Sequence, residues 1–257
     1  MWPPGVETNM ARVEPCDDRD VSDSWLVEGF PGVGLAGKIA ADHLVETLSL
    51  TEHATVHCEG LPRIGVYETD DHGVHQPVRV HAPTSADGAG PLVLSSDVPV
   101  SPSSAGGFAT CVTGWFEEHD LTPLLLSGLP AEKDSEPPGV FGVASGDAVD
   151  HLDRVGLDTP PERGAVSGPT GALLNRADEV GLDAAVLVVE SDPRFPDPEA
   201  ARRLVQEGVE PLTGVDVAVD ELVDRAEEIR QGRDQLAKRM QEADDESSKA
   251  GPLRMYQ

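Results

Sequence analysis

Lysine is nearly absent from this sequence. Only Lys38, Lys133, Lys238 and Lys249 occur in 257 residues, and every other basic residue is arginine. Basic residues of both kinds are few: 19 Lys+Arg stand against 47 Asp+Glu, a formal net charge of −28. A field of that sign repels phosphate backbones and anionic lipid, so it argues against nucleic acid and membrane surfaces as partners. Excess carboxylate with scarce lysine keeps a surface hydrated where salt is high and screening lengths are short. The acidity is read as running along the whole chain, which predicts a salt-adapted cytoplasm rather than one basic partner. Aromatics make up only 4%, so the core must be built from Val, Leu, Ile and Ala. Cys16, Cys58 and Cys111 are odd in number and widely spaced, which suits neither a disulfide framework nor a metal-ligand pattern. Each is expected to serve as a small apolar residue. No apolar run approaches a membrane span. Met1-Trp2-Pro3-Pro4 has neither the basic region nor the apolar run of a signal peptide. A soluble cytoplasmic protein is expected.

What is present is enough hydrophobic residue, 39% of the chain, to bury a substantial core. Residues 1–23, polar and acidic, read as a loose lead-in. Residues 24–214 read as one α/β core domain. Short strand-like runs fall at 25–30, 54–58, 64–67, 78–81, 92–95, 123–126, 140–144, 164–167 and 184–190. Asp70-Asp71-His72-Gly73 is a hairpin signal. Helical patterns cover 34–48, 104–119, 146–155, 168–180 and a stretch opened by Asp197-Pro198. Strands alternate with helices, and several strands are apolar throughout. This pattern predicts a doubly wound, mostly parallel sheet with helices on both faces.

The last forty residues differ. Val219, Leu222, Ala226, Ile229, Arg233, Leu236, Met240 and Ala243 recur at alternating spacings of three and four, a heptad seam broken by Arg233. A long helix over 215–243 is predicted, either packed on its own domain or self-associating. Residues 244–257 read as a flexible tether ending in Leu253-Arg254-Met255-Tyr256-Gln257.

Candidate chemistry is sparse. Gly32-Val33-Gly34-Leu35-Ala36-Gly37 satisfies G-x-G-x-x-G between a strand and a helix, and Glu59 ends the next predicted strand. In a dinucleotide fold Gly32, Gly34 and Gly37 let a pyrophosphate approach the helix start, and the acid holds the ribose. Pro31 before the first glycine, and Glu28 within an otherwise apolar strand, fit that fingerprint poorly. A tight strand-to-helix turn needing small residues is the other reading. Gly168-Pro169-Thr170-Gly171 is a second glycine turn at a helix start. Ser127 sits at a strand end, a common place for active-site residues, but without an identifiable base and acid. There is no G-x-S-x-G elbow. His53, His57, His72, His75 and His81 crowd one region at spacings that match no standard metal-ligand pattern. No catalytic residue, metal site or cofactor is expected.

Residues 28–38, Glu28-Gly29-Phe30-Pro31-Gly32-Val33-Gly34-Leu35-Ala36-Gly37-Lys38, resemble the opening signature of the proteasome assembly chaperone 2 family. Three later segments are similar to its later blocks: Ser127-Gly128-Leu129-Pro130, Gly168-Pro169-Thr170-Gly171-Ala172-Leu173-Leu174, and Glu190 through Pro193 with Pro196-Asp197-Pro198. The resemblance implies an α/β fold related to nucleoside phosphorylases, assembly into a homo-oligomer, and proteasome assembly or activation without ATP. It supplies no catalytic residues, and it makes Gly32, Gly34 and Gly37 fold-forming. It also gives the carboxyl terminus a meaning. Some members end in a hydrophobic residue, tyrosine and any last residue, as proteasome activators do; Met255, Tyr256 and Gln257 match that pattern. The resemblance implies docking of these three residues in the α-ring pockets of the proteasome core particle.

Overall fold

Runs such as Leu92-Val93-Leu94 carry apolar side chains to both faces of a strand, so they are stable only where both faces are covered. The computed structural model describes residues 12–58, 61–67, 71–84, 90–131, 137–222 and 224, and places these runs inside one sheet between two helical layers. The strands are β1 (Arg12–Pro15), β2 (Trp25–Gly29), β3 (Thr51–His57), β4 (Val78–Ala82), β5 (Leu92–Ser96), β6 (Thr122–Pro130), β7 (Val140–Ser145) and β8 (Ala184–Ser191). Their order across the sheet is β1-β3-β4-β5-β2-β6-β8-β7. The central strands β5, β2, β6 and β8 are parallel. Both flanks pair antiparallel. The sheet is therefore mixed: the expected parallel arrangement holds at the centre and gives way at the flanks. Parallel neighbours need a crossover, usually a helix, and no helix separates β3, β4 and β5 among the described residues.

Helices α1 (Ala36–Thr47), α3 (Ala148–Val155) and α5 (Pro198–Leu204) cover one face. They bury Val27, Leu124, Leu126 and Leu187 from the strands beneath. Helices α2 (Ala105–Glu118) and α4 (Gly168–Val180) cover the other, over Leu26, Leu94, Leu125 and Val186. This alternation along each strand is the period-two signal that the apolar runs concealed. After α5 the helix widens into a π turn at Val205–Val209 and resumes as α6 (Glu210–Thr213). Pro211 has no N–H for the regular ladder, and the wider turn accommodates it.

Several expectations need correction. The lead-in is not loose throughout, because Arg12–Pro15 pairs with β3 as an edge strand. Residues 64–67 and 164–167 are not strands; the first makes only a bridge between Val66 and His75. Ile64 and Tyr67 are exposed there, so no burial holds the run extended. Cys58 and Cys111 are not simple apolar residues but form a disulfide between the end of β3 and α2. Packing of α2 on the sheet brings together two positions 53 residues apart, a proximity that spacing cannot reveal. Cys16 is a free, exposed thiol.

The expected helix over 215–243 is partly visible. Residues 215–219 are not helical, and a helical turn begins at Asp220. The first two seam residues, Val219 and Leu222, pack on the body's own core. The rest of the seam and the tether lie outside the described residues. Among the described residues no helix is long and apolar enough to cross a membrane.

Candidate functional site

In the sheet order, β2 sits between β5 and β6. The chain leaves β2 toward β3 and leaves β6 toward β7 and β8. The carboxyl ends of β2 and β6 therefore flank a topological switch point, where open α/β sheets leave a crevice. A crevice of about 260 Å³ lies there. Its walls include Phe30, Gly32 and Val33 after β2, Ser127 on β6, and Ser167 and Thr170 at the start of α4. Among the described residues no charged side chain lines it.

Beneath this wall stands a buried acid. Glu28 on β2 is fully buried, and Thr170 Oγ1 donates to its Oε1 at 3.1 Å. Its Oε2 has no hydrogen-bond partner among the described residues. Burial pushes the Glu28 carboxyl up to about 8, against the opposing pull of Thr170 and the main-chain amides of Leu126 and Phe30. Glu28 is therefore mostly protonated at neutral pH and acts as a neutral group tying β2 to α4. The sequence signal was visible, one acid in an apolar strand; its partner lies 142 residues away.

The glycines are used in packing. Gly34 has φ +59°, and a side chain there would run into Ser191 Oγ and the Asp192 carbonyl. The Gly34 carbonyl accepts from the Asp197 amide at 2.7 Å. Asp197 also accepts from Ser191 Oγ and caps α5 through the Ala200 amide. The face of Gly34 that a pyrophosphate would approach in a dinucleotide fold is thus covered by the chain's own 191–197 loop. Gly37 lies against Leu126, and its carbonyl abuts Gly29. Gly32 and Gly37 both line the crevice, and of the two only Gly32 has no side-chain neighbour among the described residues. Glu59 lies outside the described residues. Lys38 bridges Asp42 at 2.6 Å and Asp97 at 3.3 Å, holding α1 to the end of β5.

Segments 28–38, 127–130 and 168–174 are scattered in sequence and each lends residues to this crevice, while 190–198 packs against Gly34 beside it. The remaining candidates do not join them. His53 is buried and bonds Asp17 at 2.8 Å, while His75 pairs with Asp71. Burial holds His81 below its usual range. Among the described residues no group of three potential ligands could hold a metal ion. Met255, Tyr256 and Gln257 lie outside the described residues.

The family model described as PAC2 matches residues 26–237, most of the chain. The chain belongs to the PAC2 family. A relative in Methanocaldococcus jannaschii, itself uncharacterised, is 27% identical over 232 residues, 89% of this chain and 91% of that protein. Among solved structures, Pyrococcus furiosus PbaA is described as an archaeal homologue of proteasome-assembly chaperone. It superposes with a TM-score of 0.77 at 23% identity, covering 92% of this chain and 96% of its own. Pyrococcus furiosus PbaB, described as an archaeal proteasome activator, gives 0.77 at 20% identity over 90% of this chain and 100% of its own. These likenesses show a shared PAC2 fold. The three segments that line the crevice, and the 190–198 segment packed on Gly34, all fall within the family match.

Proposed function

We propose that this PAC2 protein is a homo-oligomeric, cytoplasmic proteasome assembly chaperone or ATP-independent activator that docks on the core particle through Met255, Tyr256 and Gln257. The observation that carries the reading is a PAC2 match over residues 26–237, followed in the sequence by a hydrophobic-Tyr-X end. The descriptions of PbaA and PbaB support the same general role. For a chain ending at Gln257, the free carboxylate is captured by a cation and backbone amides in a pocket between two ring subunits. Tyr256 is a rigid amphipathic anchor with one hydroxyl to bond. Met255 fills an apolar slot and adapts to its shape. One such tail binds weakly, and several on one oligomer convert weak contacts into avidity.

The glycine turn weighs against the nucleotide alternative, which supports a reading without ATP. With Gly34 covered by Ser191 and Asp192, the nucleotide alternative built on Gly32, Gly34, Gly37 and Glu59 loses the close approach it needs. Co-sedimentation with purified core particle tests the docking. The intact chain should sediment with the particle, and a chain ending at Arg254 should remain in the supernatant while keeping its oligomeric size. Equal sedimentation of the two would overturn the tail reading.

A further inference from the structure

Residues 215–222 form the last part of the described body, and they are held more firmly than a linker requires. Val217 and Leu222 are buried, and Val219 packs on the same core layer as α1 and α5. The main chain is fixed at two points. The Val217 amide donates to Glu210 Oε1 at 2.8 Å. The Ala218 carbonyl accepts from His43 Nε2 at 2.7 Å.

His43 is an expensive choice for its position. It lies on α1 and is fully buried. Thr47 Oγ1 stands 3.3 Å from Nε2, and Nδ1 has no partner among the described residues. Bonding a carbonyl requires that Nε2 carry the hydrogen, which leaves Nδ1 an unsatisfied acceptor. An apolar residue would fill this space without that cost. What the imidazole adds is one donor, aimed at Ala218.

The charge changes character just beyond this point. Residues 1–224 hold 12 basic and 40 acidic residues, and residues 225–257 hold 7 of each. The net charge of −28 therefore belongs entirely to residues 1–224, which corrects the expectation of acidity along the whole chain. The remaining 33 residues are balanced.

We propose that His43 is a positioning residue: its bond to Ala218 clamps the root of the charge-balanced C-terminal segment to the polyanionic body. A fixed root sets where each tail starts and how much freedom is lost when it docks. Only this consequence rests on the docking reading; the clamp stands on its own geometry.

Amide hydrogen exchange on the full 257-residue chain tests it. His43→Phe fills the space without a donor and should raise exchange in 215–222 at least tenfold, leaving β2, β6 and β8 protected. His43→Gln, which offers an amide donor, should restore most of that protection. Core-particle binding should fall several-fold in the first variant and recover in the second. Unchanged protection in His43→Phe would overturn the clamp, as would a glutamine variant no better than phenylalanine. Looser exchange with unaltered binding would overturn the positioning role. If His43→Phe does not fold, the smaller His43→Leu serves the same comparison. If the intact chain fails to bind the particle, the docking reading falls, and exchange still decides the clamp.

Discussion

At the residue scale the most informative side chain is Glu28. Its carboxyl is raised from 4.5 in the unfolded chain to about 8 in the folded one by burial. Between those values the folded state holds a proton that the unfolded state has released. Stability therefore falls as pH rises through that window, and this group contributes no further slope outside it. Glu28→Gln removes the titration and keeps an oxygen for Thr170. Its melting temperature relative to the parent should climb steadily between pH 5 and pH 8. An equal difference at both ends would show that Glu28 does not titrate there. Part of this was legible beforehand, since an acid inside an apolar strand is conspicuous. Thr170 as its partner and His43 as a clamp were not, because both depend on contacts between distant segments. The glycine motif was legible but ambiguous. Whether glycine clears space for a phosphate or for the chain's own loop is decided by what stands opposite, here Ser191 and Asp192.

At the element scale, sequence pattern located the central strands and the main helices because each is long and apolar on a regular period. It failed at 12–15, where an edge strand needs only a partner's hydrogen bonds, and at 64–67, where apolar residues stand exposed. The β2–α1 unit rests on a backbone approach that any side chain would disturb. A Cβ at Gly29 meets the Gly37 carbonyl and Ala41 Cβ, whereas one at Gly114 on α2 meets nothing within 4 Å. Gly29→Ala should cost about 1–3 kcal/mol or more in urea unfolding through overpacking. Gly114→Ala should gain about 0.5–1 kcal/mol, the ordinary benefit of replacing an exposed helical glycine. Alanine tolerated at Gly29 would contradict the close packing of β2 and α1. A loss at Gly114 would mean that this face of α2 is covered.

At the scale of the whole molecule, the charge and the family place the protein in two independent ways. A net charge of −28 repels itself unless it is screened, and the screening length shrinks from about 10 Å at 0.1 M salt to about 3 Å at 1 M. The melting temperature should therefore rise markedly as potassium chloride goes from about 0.1 M to about 2 M. A flat or falling curve would contradict the salt-adapted reading. The PAC2 match, spanning 26–237, gives the body a family and leaves the partner to be decided at the tail. There the position of one carboxylate carries the claim. The direct measurement is the affinity of the core particle for the intact chain beside a chain extended by one alanine after Gln257. The extension should abolish saturable binding while the chain's size in solution and its melting temperature stay unchanged. Binding of equal strength in the two would contradict the claim.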